Sequence, residues 1–180
     1  MRLRGVRERL RADGPDSEFA DGALVARLPV AAAPSFVDVY RESQLEMVRL
    51  AYLLTGSQET AQDLVQDAFV RLHHQFARVD DPRAYVRRSV VNACVSHHRR
   101  VSLARRRQAL LVAPAASDSP RGEMFDVIGA LPARERAAIV LRYWHDLDDG
   151  AIASTLGCRP ATVRSLLHRG ISRLREVIEP

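Results

Sequence analysis

Apolar residues recur at steps of three and four through most of this chain, and alternating apolar-polar runs are scarce, so the pattern predicts an all-α protein. A first helix is expected from a Ser35 cap to about Leu54, with Phe36, Val39, Leu45, Val48, Ala51 and Tyr52 as its apolar positions and Thr55-Gly56-Ser57 as its stop. A second, from about Gln58 to Phe76, buries Ala61, Leu64, Val65, Ala68, Phe69 and Leu72 and leaves Glu59, Asp63 and Asp67 on one acidic face. Asp80-Asp81-Pro82 is the next break, because proline disfavours helix in the residue before it. A third helix reaches Arg100, with Tyr85, Val86, Ser89, Val90, Ala93 and Cys94 on its apolar side. After a stretch rich in Ala, Pro and Ser, helices are expected at Glu123 to Ala130 and, opened by Leu131-Pro132, at Ala133 to Tyr143.

The last pair of helices has the clearest punctuation. Asp148 can cap a helix whose stripe is Ile152 and Leu156, Gly157 ends it, and Pro160 suits the first position of the next because it needs no amide there. That next helix has an inward face of Val163, Leu167, Ile171, Leu174 and Ile178. Arg159, Arg164, Arg169, Arg173 and Arg175 line the rest of it with no acid among them, and Thr162, Ser165 and His168 add short hydrogen-bonding groups. A tight helix-turn-helix whose second helix is basic suits entry into a DNA major groove. Ile139, Val140 and Tyr143 are expected to pack over Ile152 and Val163, closing a small four-helix domain.

The domain reading is therefore two small helical domains, 35–100 and 123–180, joined by a flexible linker at 101–122. Residues 1–34, mixing arginines, glycines and an Ala31-Ala32-Ala33-Pro34 run, read as a disordered extension.

Charge sharpens this picture. The net charge is +5 and the isoelectric point about 10.0, which favours a polyanionic partner, and all 27 basic residues are arginine. From Pro82 to Gln108 there is no acid, whereas Arg83, Arg87, Arg88, Arg99, Arg100, Arg105, Arg106 and Arg107 all fall there. A surface that tracks phosphates has this composition, and it follows directly on the acidic second helix.

Chemistry of other kinds is not indicated. Cys94 and Cys158 sit in apolar helical patterns, as buried free thiols of a reducing compartment do, and no run is long or apolar enough for a bilayer span or secretion signal, so a cytoplasmic location is expected. No Gly-rich phosphate loop appears. His73, His74, His97, His98, His145 and His168 lack metal-site spacing; Cys94 with His97 and His98 comes nearest, and a core cysteine beside DNA-facing histidines explains it more simply. Neither metal, cofactor nor enzymatic activity is expected.

Two segments carry a family likeness. Leu131-Pro132-Ala133-Arg134-Glu135-Arg136, Leu141-Arg142-Tyr143 and the helix-turn-helix ending His168-Arg169 resemble the promoter-binding region 4 of bacterial RNA polymerase sigma factors. Asp63-Leu64-Val65-Gln66-Asp67-Ala68-Phe69-Val70 resembles the region 2 helix of the same sigma-70 family. Order and spacing match its small extracytoplasmic-function (ECF) class over roughly residues 35–178, and Val90-Val91-Asn92 resembles an actinobacterial, SigE-like branch.

The resemblance implies a sigma factor that binds core RNA polymerase and directs initiation at promoters with minus-10 and minus-35 elements. It places Asp63, Gln66, Asp67 and Phe69 against the beta-prime clamp helices, and the second domain on the beta flap. It also places Asn92 at the base-reading position of the minus-10 surface, with Arg87, Arg88, Arg99 and Arg100 near phosphates. For minus-35 recognition it implies Arg159, Thr162, Arg164, Ser165, His168 and Arg169. An anti-sigma protein is a further implied partner, and no membrane is. Three positions depart from the family pattern: Arg159 stands where Ser or Thr usually caps the recognition helix, Leu166 where a basic residue is frequent, and Ser96 where Asp is frequent. The competing reading is a stand-alone helix-turn-helix regulator binding operators as a homodimer, for which the sequence offers neither a heptad seam nor an effector site.

Overall fold

A computed structural model describes residues 34–108 and 123–178 of the chain. The extension read at 1–34, apart from Pro34, and linker residues 109–122 lie outside the described residues, as do the side chains of residues 105–108, Glu123, Met124 and Ile178.

Helix α1, Phe36–Thr55, starts with a reciprocal cap in which the Asp38 amide donates to Ser35 Oγ at 3.2 Å and the Ser35 amide donates to the Asp38 carboxylate at 3.0 Å. Bonds from the Ser35 hydroxyl and amide hold the Asp38 carboxyl below its ordinary range. Gly56, at φ 74°, closes the helix in the left-handed region. Helix α2, Gln58–Gln75, is capped by Ser57, and a 3-10 turn, Phe76–Arg78, leads to α3, Pro82–Gln108, whose first turn is capped by Asp81 accepting from the Ala84 amide at 2.9 Å. These three helices pack on one another around Val39, Leu50, Leu54, Val65, Phe69, Leu72, Val86, Val90 and Cys94. Burial pushes the Cys94 thiol up to about 12, so it is a packing group and not a nucleophile.

Two expectations change here. Helix α3 does not stop at Arg100 but continues to Gln108, because Val101-Ser102-Leu103-Ala104-Arg105-Arg106-Arg107-Gln108 contains no Gly or Pro and is mostly good helix formers. Leu45 is 59 % exposed. The buried stripe of α1 runs through Val39, Ser43, Met47, Leu50 and Leu54, and position 45 lies nearly opposite to it.

The second half comprises α4, Glu123–Ala130, α5, Ala133–Tyr143, α6, Asp149–Leu156, and α7, Pro160–Ile178. Its internal core is Ile128, Leu141, Ile152, Leu156, Val163 and Leu166. Tyr143, expected in this core, is 63 % exposed at the last position of α5, two residues and about 200° of helix rotation from the fully buried Leu141. Where α7 crosses α5, Gly170 is buried, and a Cβ built on it would stand 2.6 Å from Ile139 Cδ1.

The halves are not separate. α5 packs on α1 and α3, α6 packs on α3, and α4 reaches α1, where Phe125 meets the Tyr52 ring at 5.0 Å between centroids. Residues Glu135 to Leu141 of α5 are buried without interruption, because this helix is sandwiched between its own domain and the first. At the end of α1 the Leu54 carbonyl accepts from Arg136 Nη1 at 2.7 Å and lies 2.6 Å from His98 Nε2. A helix C-terminus leaves carbonyls unpaired and carries partial negative charge, so a cation that buries it must also bond it. Arg136 does both.

Candidate functional site

Three surfaces carry the residues singled out from the sequence. The first is the solvent side of α2. Asp63, Gln66 and Asp67 are exposed, one helical turn apart, as is Glu59. Phe69 is not: it is 3 % exposed and belongs to the core, because it falls on the stripe with Val65 and Leu72. It acts from below. Together with Phe36, Tyr40, Gln66, Val70 and His73 it lines an apolar groove of about 270 Å³ between α1 and α2. The Tyr40 ring meets that of Phe69 edge-on at 4.9 Å, and Phe36 meets His73 and Phe76 at 4.9 and 5.8 Å, so the groove wall is an aromatic cluster. Tyr40, Val37 and Val70 remain 38 %, 49 % and 50 % exposed beside the acids. Sequence reasoning missed these three; the signal was present in Val37 and Val70, large apolar side chains at helix positions off the core stripe.

The second surface is α3. Arg88, Asn92 and Arg99 are exposed and follow spacings of four and seven, so they form one stripe along the helix, with exposed Arg100 beside its far end. Arg88 lies over the Tyr85 ring at 5.9 Å, which orients its guanidinium. Arg87 departs from the expectation. Five positions from Asn92 it faces away from the stripe, is half-buried against the second half, and lies close enough to His145 for its charge to oppose protonation there.

The third surface is the helix-turn-helix, and here local sequence dictates geometry closely. Asp148 Oδ1 accepts from the Ala151 amide at 2.7 Å, Gly157 adopts φ 60° and ψ 48°, and the amides of Gly157 and Cys158 both donate to the Ala153 carbonyl. Arg159 begins α7 through its backbone, its carbonyl accepting from Thr162 and Val163 at 2.9 and 3.2 Å, which leaves its side chain in solvent where a Ser or Thr would have been occupied with capping. Thr162, Arg164, Ser165 and His168 are exposed alongside it. Leu166 is 4 % exposed and faces the core, so a base at this position has no surface to serve.

Arg169 is exposed but engaged. Its Nε lies 3.2 Å from Glu135 Oε1, and Arg173 Nε lies 3.1 Å from the other oxygen of the same buried carboxylate. The pair pins α7 to α5 and orients Arg169 from behind. Asp149 similarly holds Arg142 and, at 3.5 Å, Arg164. Arg134 Nη2 donates to the Leu156 carbonyl at 3.0 Å, closing the end of α6. Among the described residues no cluster of His, Cys, Asp or Glu could hold a metal ion, and no helix is long and apolar enough to cross a membrane. His98, the nearest candidate for a ligand beside Cys94, is turned to Leu54 and Arg136 instead.

Comparison with known proteins agrees with this layout. Residues 39–104 match the family description "Sigma-70 region 2" and residues 121–174 match "Sigma-70, region 4". The chain is 32 % identical over 152 residues to the RNA polymerase sigma-E factor of Streptomyces avermitilis, an alignment covering 80 % of this chain and 85 % of that protein. It is 31 % identical over 163 residues to the ECF RNA polymerase sigma factor SigE of Mycolicibacterium smegmatis, covering 82 % and 63 %. In fold it is similar to the sigma factor RpoE in its complex with the anti-sigma factor NepR from Bartonella quintana, with a TM-score of 0.63 at 20 % identity over 79 % of this chain and 97 % of that one.

Proposed function

The chain belongs to the ECF class of RNA polymerase sigma factors, which direct promoter-specific initiation, and from that premise we propose how its surfaces divide the work. The acidic side of α2, Asp63, Gln66 and Asp67, meets the basic side of the beta-prime clamp helices, while the groove over Phe69, rimmed by Tyr40, Val37 and Val70, takes an apolar side chain from the same partner. Charges at the rim set orientation and encounter rate, and the desolvated aromatic centre supplies most of the affinity.

The stripe of Arg88, Asn92 and Arg99, with Arg100, receives the minus-10 element: Asn92 reads a base and the arginines hold phosphates. A base flipped from the stack into a protein pocket recovers its unstacking cost on binding, so strand opening there needs no hydrolysis, and the protein is a non-enzymatic factor. The minus-35 element lies against α7, where Arg159, Thr162, Arg164, Ser165 and His168 face the groove and Arg169 is presented by Glu135. The second half rests on the beta flap, the site of action is the cytoplasm, and an anti-sigma protein is a further partner, as the partner named with the RpoE structure supports.

The observation that carries this reading is the presence in one chain of an exposed acidic-aromatic surface and two exposed arginine-bearing DNA surfaces, in family order. A homodimeric regulator has no use for the first of these. Run-off transcription with core polymerase from the host on a pool of its promoter fragments decides between them. New start sites that require this protein are expected; tight binding to duplex DNA by the protein alone, with core polymerase unaffected, would establish the regulator instead.

A further inference from the structure

Where α7 crosses α5, a carboxylate is buried under two arginines. Gly170 brings α7 so close that a Cβ built on it would stand 3.5 Å from Glu135 Cβ. The Glu135 side chain, 7 % exposed, then meets Arg169, one residue before the glycine, and Arg173, three after it, whose side chains are 54 % and 56 % exposed. Oε1 accepts a hydrogen bond from Arg169 Nε at 3.2 Å. Oε2 is buried without an aligned hydrogen bond and is met as an ion pair by Arg173 Nε at 3.1 Å.

This arrangement fixes the arginines before any ligand arrives. A buried carboxylate that loses a cation keeps an uncompensated charge, so neither arginine can swing away without cost. Each contact uses Nε and leaves the terminal Nη donors for another acceptor, and among the described residues neither arginine has a second polar partner. Two guanidinium groups on one carboxylate also leave one positive charge in excess, and no acid lies between Arg159 and Arg175 to offset it. Arg164 is held differently. Asp149 is 3.5 Å from it and partly open to solvent, so Arg164 stays free to adjust to a base edge.

Position along α7 says what the excess charge meets. Thr162, Ser165, Arg169 and Arg173 follow steps of three, four and four, so Arg173 extends the stripe of residues already placed at the DNA. The N-terminal residues of a recognition helix contact base edges. Arg173 lies about 16 Å further along the axis than Thr162, more than the roughly 12 Å width of a major groove, so it reaches the backbone at the groove's edge.

We propose that Glu135 is a positioning residue for DNA recognition, holding Arg169 and Arg173 as a preordered pair whose Nη donors take one backbone phosphate of duplex DNA. The inference rests on the DNA-reading role of α7 given above, and adds to it a phosphate seat that fixes how deep along the groove the helix sits. Arginine forks match phosphate oxygens in pairs, and side chains ordered in advance lose less freedom on binding.

The test uses the full-length chain, with fluorescence anisotropy on a 30-base-pair duplex of arbitrary sequence over a series of salt concentrations, and circular dichroism to read folding. Glu135→Gln removes a negative charge near DNA, so electrostatics alone would tighten binding, whereas loss of positioning is expected to weaken it about threefold. Equal or tighter binding overturns the positioning role. Replacing Glu135, Arg169 and Arg173 together by Gln leaves no buried charge unpaired. That variant is expected to bind on the order of tenfold more weakly, with a log-log salt slope shallower by about 1, as the loss of one phosphate contact requires. A slope shallower by about 2 means two separate phosphates and overturns the shared seat; an unchanged slope overturns the seat altogether. If helicity falls in either variant, Arg173→Gln, which leaves Glu135 paired with Arg169, takes its place: weaker binding supports the seat and unchanged affinity overturns it. Run-off transcription by the wild type is measured separately. Its failure would remove promoter reading, while the salt slope on arbitrary duplex still decides whether the arginine pair holds a phosphate.

Discussion

Asp148 and Asp67 are both exposed aspartates, yet substitution should expose opposite roles. Asp148 accepts the Ala151 amide at 2.7 Å, so Asp148→Ala should cost about 1 kcal/mol of stability, read as a lower midpoint in urea, because an orphan amide of α6 loses its partner. An unchanged midpoint would mean that water caps α6 equally well. Asp67 is on the open side of α2, away from the core stripe. Asp67→Arg should leave the melting temperature unchanged and weaken core-polymerase binding roughly tenfold, about 1.4 kcal/mol. Unaltered affinity in a competition assay would remove this face from the interface. Both aspartates were legible in the sequence through their neighbours: a cap is announced by the helix after it, and an exposed acid by its distance from an apolar stripe. Phe69 was half legible. Its place in a conspicuous motif pointed to a contact, but its spacing to Val65 and Leu72 marked it as core.

At the scale of elements, helix ends were the most readable features. Ser35, Ser57, Gly56, Asp81, Asp148 and Gly157 each stop or start a helix through bonds within four residues, so nothing distant is needed to locate them. The end of α3 was misplaced because composition changes at Val101 while helix propensity does not. Faces were harder. Seven residues in a row, Glu135 to Leu141, are buried, and a helix apolar on all sides is one that neighbours surround. The run Ala137-Ala138-Ile139-Val140-Leu141 carried that signal, which a search for a single stripe overlooks. The crossing of α5 and α7 supplies a further prediction. Gly170→Val would drive side-chain atoms into Ile139 and toward Glu135, and should destabilise the protein by about 1–3 kcal/mol through overpacking. Calorimetry showing no loss would mean that α7 can shift away from α5 freely.

For the whole molecule, the seam between the halves should respond to acid. His145 is held below its ordinary 6.5, first because burial disfavours the imidazolium and also because Arg87 of α3 lies near; Glu46 of α1 opposes both and does not prevail. A histidine whose folded pKa is depressed binds a proton more readily when the structure opens, so closure is fully supported above 6.5 and weakens as pH falls below it. The melting temperature should therefore drop between pH 7 and pH 5, and His145→Gln should flatten part of that slope. An identical slope in the variant would locate the titration elsewhere. At this scale, too, Arg87 and Arg169 acquire partners or surroundings that a helical wheel cannot supply.

By itself the sequence determined the helices, their caps, the helix-turn-helix and which short segments carry the sigma-factor likeness, because each depends on bonds and spacings of a few residues. The tertiary structure alone decided that Arg136 ends in the first half, that Arg169 is pinned by Glu135, that Arg87 faces a seam, and that Tyr40 and Val70 rim a groove. Those outcomes depend on which surfaces meet, and the partners involved are 82 residues apart for Arg136 and Leu54 and 34 for Arg169 and Glu135. Local periodicity states that a face is apolar or charged; only packing chooses what covers it.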